Sequence, residues 1–398
     1  MSFESSRSQA DTVVPGESAS PHAVSAVRGR TTTLPGFSEA GLTERALERY
    51  QVVRPLGSGG MGEVALVQDH DIDRTVAVKY LHADLAAPNL IARFVEEIRT
   101  VGHLEHPNIV PIHDAGRDEA GRYFFVMKHI EGETLESIID KLRAGDPAYV
   151  ARYTFLQRVE IFIGILNALK FAHEKGYVHR DVKPANVMVG HSGEVVLMDW
   201  GITKSLLPAP AALPAEGAVE RPRDARLVAT QFGAVIGTPE YMSPEQAAGR
   251  NDQVDARSDL YSATVLFHEL MFLEHYLDGC NTIEEKLAGV QLKSPKGWKG
   301  YGRYPLPPGP YLYIAVKGMQ KDPAKRFQSA DELIERLRRV QEGTAPVQCA
   351  VTFMRRGATE LTRFVDRNPM GAMVAFGAAT LAALASFTGG IYWLAHVL

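Results

Sequence analysis

The stretch that most constrains this chain runs from His179 to Gly201: His-Arg-Asp-Val-Lys-Pro-Ala-Asn over 179–186, a short hairpin, then Asp199-Trp200-Gly201. Two carboxylates, a lysine and an asparagine are gathered in one small loop-and-hairpin unit. Transfer of a phosphoryl group needs that set: a base, a phosphate contact and hard oxygen ligands for a metal. It also needs a cradle for phosphates and a scaffold large enough to carry both halves of a site. With 398 residues the chain exceeds what one core usually serves, roughly 250 to 300 residues, which leaves room for two lobes and extensions.

A glycine-rich run supplies the cradle. Leu56-Gly57-Ser58-Gly59-Gly60-Met61-Gly62-Glu63-Val64 carries a GxGxxG, which alone also suits a dinucleotide-binding turn. The flanks separate the two readings. A dinucleotide site needs a helix straight after the last glycine, whereas Val64 to Val67 and Thr75 to Tyr80 read as strands, so the run is a glycine-tipped hairpin. Alternation in the second strand puts Ala77 and Lys79 on one face and Val76, Val78 and Tyr80 on the other. A helix follows with Ile91, Phe94, Val95, Ile98 and Val101 at helical spacing and Glu96-Glu97 beside that stripe. Tyr123 to Met127 reads as a buried strand, and Phe155 to Ala172, apolar nearly all round, as the buried central helix of a larger lobe.

Taken with Ser243-Pro244-Glu245, these motifs resemble the eukaryotic-like Ser/Thr protein kinase family of bacteria over roughly residues 50 to 340, in the family's order. The resemblance implies an α+β, bilobal protein-kinase fold, with a small β-rich lobe and a larger helical one. It implies ATP with magnesium, manganese being the alternative metal, and protein Ser/Thr hydroxyls as acceptors. The nucleotide would be held by Leu56, Gly57, Ser58, Gly59, Gly60, Met61, Gly62, Val64, Ala77 and Lys79, with Met127 as gatekeeper and Lys128 to Ile130 offering backbone to adenine. Glu97, counted back from His106-Pro107-Asn108, would brace Lys79, leaving Glu96 as a surface charge. Asp181 would accept the acceptor's proton, Lys183 neutralise the moving phosphate, and Asn186 and Asp199 hold metal. Asp-x-Lys-Pro-x-Asn matches the Ser/Thr-specific form of this loop. His179 and Arg180 are structural in the family, and Trp200 departs from its usual Phe. Thr230 is the expected activating autophosphorylation site, received by Arg180; Thr238 is architectural. Glu245 would pair with Arg326, and Asp259 would tie the catalytic loop to a central helix. The rivals are a pseudokinase scaffold, which intact Lys79, Asp181, Asn186 and Asp199 disfavour, and a small-molecule kinase of similar fold.

Beyond residue 270 the family's Gly-x-Pro-Pro-Phe run is replaced by Phe272 to Leu277. Lys293, Lys296, Lys299 and Arg303 read as a solvated loop, and Ser329 with Glu332 caps a last helix ending near Val340. Residues 1–45, rich in Ser, Ala, Gly and Pro, read as a disordered tail without a secretory signal. Residues 341–369 form a juxtamembrane segment whose Val351, Met354, Ala358, Leu361 and Val365 recur at helical spacing among arginines. After Arg367 no Lys, Arg, Asp or Glu occurs, and 370–398 is long enough to span a bilayer. Arginines on its N-terminal side alone put the kinase in the cytoplasm and the C-terminus at the outer face of the inner membrane. Gly371, Ala375 and Ala379 would allow pairing into a homodimer. A net charge of −4 gives no reason to expect nucleic acid, and two distant cysteines suggest neither disulfide nor zinc site.

Overall fold

In the computed structural model, the described residues are 27–31, 48–59, 62–82, 88–118, 121–200, 204–205, 239–295, 307–344 and 350–397. They divide into two compact units, one within Met1–Ala87 and His113–His129, the other within Pro88–Ile112 and Ile130–Leu398.

The first unit is a β-sheet of β1 (Val27–Thr31), β2 (Glu48–Ser58), β3 (Gly62–Asp69), β4 (Arg74–Leu81), β5 (Ile112–Arg117) and β6 (Tyr123–Lys128) in the order β1-β2-β3-β4-β6-β5. Alternation in β4 does what the sequence predicts: Val76, Val78 and Tyr80 enter a core with Tyr50, Ala65, Val67, Phe124 and Val126. β1 falls inside the segment expected to be a tail; it forms the edge of this sheet against β2, and the rest of residues 1–45 lies outside the described residues.

The second unit is mainly helical. Its elements are α1 (Pro88–Gly102), β7 (Gly132–Thr134), α2 (Leu135–Ala144), α3 (Pro147–Arg152), α4 (Phe155–Glu174), β8 (Tyr177–Val178), β9 (Val187–Gly190), β10 (Val195–Leu197), β11 (Lys204–Ser205), α5 (Pro244–Ala247), α6 (Ala256–Phe272), α7 (Ile283–Leu292), α8 (Gly309–Gly318), α9 (Ala330–Gln341), α10 (Ala350–Arg367) and α11 (Pro369–Val397). Helices α4 and α6 are buried along most of their length, as apolar residues on every side require. Phe162 of α4 stacks on Phe267 of α6 with ring centroids 4.6 Å apart. Start signals read from sequence are in use: Ser243 and Gln246 form a full capping box, and Ser329 accepts the Glu332 N–H. α11 contains the one helix among the described residues long and apolar enough to cross a membrane, Pro369–Gly389.

Candidate functional site

On the first unit, β2 and β3 pair Gly57 with Val64 and Ser58 with Glu63. The turn between them closes through the Gly59 N–H on the Gly62 carbonyl at 2.8 Å and its reciprocal at 3.3 Å. The three described glycines of the motif differ in their surroundings. A Cβ on Gly62 would lie 2.0 Å from the Tyr80 carbonyl oxygen, so β3 cannot approach β4 with any other residue there. Gly57 and Gly59 face open space, with nothing within 4 Å. Their missing side chains leave room that the fold itself does not use. A cavity of about 370 Å³ lined by Pro55–Ser58 and Glu63–Ala65 adjoins them. Leu56 is exposed beside it.

Register then brings the remaining sheet residues to one face. Val64 stands opposite Lys79, which stands opposite Phe125, and Leu66 opposite Ala77, opposite Met127. Cross-strand partners share a face, so Val64, Ala77, Lys79 and Met127 lie on the side away from the Val76–Val78–Tyr80 core. The Lys79 ammonium is 5.7 Å from the centroid of the Phe125 ring. Lys128 is exposed at the end of β6. Gly60 and Met61 lie outside the described residues.

The other predicted residues belong to the second unit. On α1, Glu97 is buried and Glu96 exposed, so the helical phase turns the former inward. Ile130 is buried. After β8 the chain enters the His179–Asn186 loop with Arg180 at φ 69°, and after β10 it reaches Asp199 at φ 57°. Left-handed backbone at a residue with a Cβ costs roughly 1–2 kcal/mol, and at Arg180 hydrogen bonds to its N–H and carbonyl hold it in place.

Asp259 on α6 supplies the largest share of those bonds. Its carboxylate, fully buried, accepts the N–H groups of His179 and Arg180, each at 2.8 Å, and the His173 Nε2–H at 2.8 Å. Burial pushes this carboxyl up, but the His173 hydrogen bond, the nearby imidazoles and the Arg180 N–H outweigh it and hold it below the ordinary range. His179 uses both ring nitrogens structurally: Nε2–H on the Met198 carbonyl at 2.9 Å, Nδ1 accepting the Asp181 N–H at 3.2 Å. Trp200 is buried against it with ring centroids 4.5 Å apart, and its Nε1–H points to the Leu197 carbonyl at 3.4 Å.

Further along the loop, the Asp181 Oδ2 accepts from Lys183 Nζ at 2.8 Å and from Asn186 Nδ2 at 3.0 Å, while the same Asn186 nitrogen reaches the Asp181 carbonyl at 2.9 Å. Amide and ammonium thus fix the carboxylate from one side. Asp199 is exposed. Burial pulls the Arg180 guanidinium down, partly offset by Asp259, and its buried Nε has no partner among the described residues.

Below the loop, Arg326 binds Glu245 through two bonds of 2.8 and 2.7 Å, and it also donates to the Gln320 carbonyl at 2.8 Å. Burial acts to raise the Glu245 carboxyl, yet the Arg326 bonds and charge and the Ser258 hydroxyl hold it below its usual value. Both anchors, Asp259 and the Glu245–Arg326 pair, sit where the sequence predicts.

Several supports were not predicted. The Gln246 amide donates to the Arg180 carbonyl at 2.9 Å; the capping box marks Gln246 as a helix start but not as a brace. His173 gives no local signal. Glu269 binds both Arg143 and the Tyr241 hydroxyl, burial and Glu269 together driving that phenol strongly upward. Where the family's glycine-containing run is missing, α6 ends on Leu273 at φ 57°, whose carbonyl accepts the Arg143 Nε–H at 3.1 Å. Thr230, Thr238, Gly201, the proline-rich middle of the activation segment, Lys296, Lys299 and Arg303 lie outside the described residues.

Comparison with known proteins agrees with this geometry. The protein kinase domain model matches residues 50–335. A probable serine/threonine-protein kinase of Streptomyces coelicolor is 37% identical over 289 residues, 72% of this chain and 39% of that protein. The serine/threonine-protein kinase PknB of Mycolicibacterium smegmatis is 35% identical over 311 residues, 75% of this chain and 44% of that protein. The chain therefore spans less than half the length of these relatives. In fold, a double mutant of the PknI kinase domain of Mycobacterium tuberculosis matches with a TM-score of 0.50 at 23% identity, covering 73% of this chain and 94% of that domain.

Proposed function

Because the chain belongs to the protein kinase domain family, we propose that it is an ATP-dependent protein kinase that phosphorylates serine and threonine hydroxyls. The observation that carries this is the Asp181 carboxylate fixed by Lys183 and Asn186 on one oxygen. With Oδ2 so engaged, Oδ1 is the atom that takes the proton as the acceptor oxygen forms its bond to phosphorus. Lys183 then sits beside the charge on the transferred group.

The family works with ATP and a divalent metal. The donor set suits magnesium, with manganese as the alternative: Asn186 commits its nitrogen to Asp181 and keeps Oδ1, and Asp199 presents a carboxylate. Among the described residues no group of three or more His, Cys, Asp or Glu is placed to hold a metal, so phosphate oxygens would complete the shell. When bound, the ion neutralises charge on the phosphates. Lys79 would contact the α- and β-phosphates, braced by Glu97. Gly57 and Gly59 would admit the phosphates where the fold leaves space, and Val64, Ala77, Met127, Lys128 and Ile130 would frame the base.

The buried Nε of Arg180 supports a phosphate-docking role, so we read Thr230 as its autophosphorylated partner. Thr230→Ala should lower activity; phosphopeptide mapping that finds Thr230 unmodified in a fully active enzyme overturns this. We read residues 370–398 as a single inner-membrane span with a cytoplasmic kinase, and 341–369 as its juxtamembrane segment. The deciding experiment is phosphate incorporation from labelled ATP with magnesium. Lys79→Met and Asp181→Asn should each reduce it about 10³-fold. A wild type that labels no protein, with neither substitution changing anything, leaves the scaffold reading in its place.

A further inference from the structure

Helix α10 carries a pattern that the kinase reaction does not use. At 100° per residue its apolar positions, among them Phe353, Met354, Leu361, Phe364 and Val365, fall within an arc of about 160°, and every charged position falls on the remaining arc. Four arginines, Arg355, Arg356, Arg363 and Arg367, stand against Glu360 and Asp366. Leu361 is 54% exposed and Phe364 48% exposed, so at these positions the stripe is not consumed by packing. Arg363 donates to the Glu342 carbonyl at 2.6 Å, which ties α10 to the end of α9.

What adjoins α10 identifies its occupant. The helical ladder runs on into α11: the Asn368 N–H reaches the Phe364 carbonyl and the Ala372 N–H the Asn368 carbonyl, both at 2.9 Å. Pro369 has no N–H, which removes one bond at this junction and permits a bend there. The apolar stripe with its net positive flank thus stands one residue from a helix of bilayer length.

We propose that α10 lies on the membrane surface, its apolar arc among the acyl-chain boundary and its arginines on anionic lipid headgroups, so that the membrane fixes where the kinase stands. This rests on reading α11 as a span. A second copy of α10 would cover the apolar arc equally well, but its four arginines would meet like charge, whereas anionic lipid complements them.

The test uses the full chain in nanodiscs of phosphatidylcholine alone or of phosphatidylcholine with phosphatidylglycerol, reading amide exchange over 350–367. Exchange there should slow about ten-fold in the anionic discs, the gain expected from one or two arginines near a charged surface. The L361E/F364E double variant should enter discs equally well and lose that protection. Equal exchange in both lipids overturns the proposal while leaving the span intact. Protection that appears only with two chains per disc assigns the face to a second copy and also overturns it. A chain that enters no disc overturns the span reading and this one with it.

Discussion

The loop around Asp181, in the second unit, and the glycine hairpin, in the first, are held by different means. The catalytic loop is pinned from beneath by buried polar bonds: Asp259 to two backbone N–H groups and His173, Gln246 to the Arg180 carbonyl, and Arg326 to Glu245. The glycine hairpin has its own turn bonds, a His82 ring nitrogen on the Gly59 carbonyl at 3.0 Å and the Arg122–Glu63 ion pair at 3.1 Å, and two of its glycines border open space. The loop is fixed by buried polar bonds, whereas the hairpin supplies backbone and leaves open space at Gly57 and Gly59.

The contrast breaks most readily at the buried ion pair. Glu245→Ala strands the Arg326 guanidinium, whose side chain is 0% exposed, and should cost about 3–5 kcal/mol in denaturant unfolding. Acid probes the same contact. The folded Glu245 lies below its ordinary value of 4.5, so its contribution is complete above that value and is lost as pH falls through the lower folded one. Glu245→Gln should flatten that part of the stability profile, and an unchanged slope would assign it elsewhere.

On the hairpin the glycines should separate. Gly62→Ala meets the Tyr80 carbonyl and should destabilise the protein by about 1–3 kcal/mol. Gly57→Ala should leave the melting temperature unchanged and weaken ATP binding, measured by titration calorimetry. Equal behaviour of the two would mean that Gly57 is there for packing after all. The smallest effect belongs to Trp200→Phe, which shrinks a buried ring beside His179. We expect less than about 1.5 kcal/mol of stability and activity within a few-fold of wild type; a larger loss would make the indole N–H bond to Leu197 a determinant of the loop.

How much of this could be read in advance follows from range. The face of Lys79 follows from alternation within β4 and the capping box from spacing within four residues, whereas the choice of Glu97 over Glu96 needed the family's spacing to His106-Pro107-Asn108. Asp259 and the Glu245–Arg326 pair join distant segments and were legible only because family motifs mark them. Unmarked long-range partners stayed invisible: nothing near His173 announces Asp259 as its acceptor, and nothing in Gln246 distinguishes a helix start from a brace on Arg180. The left-handed backbone of Arg180, Asp199 and Leu273 was equally hidden, since none is a glycine; at Arg180 and Leu273 it is accompanied by bonds from distant segments. The strand at Val27–Thr31 escaped because a segment rich in small residues can still join a sheet edge when the neighbouring strand offers free backbone groups.

The burial of Trp200 beside His179 also gives the molecule an optical handle. Of the chain's three tryptophans, Trp393 is exposed on α11. With Trp298→Phe and Trp393→Phe in place, tryptophan emission would come from Trp200 alone. Its colour would report the dryness of that pocket, so the packing around His179 could be followed in real time without any added label.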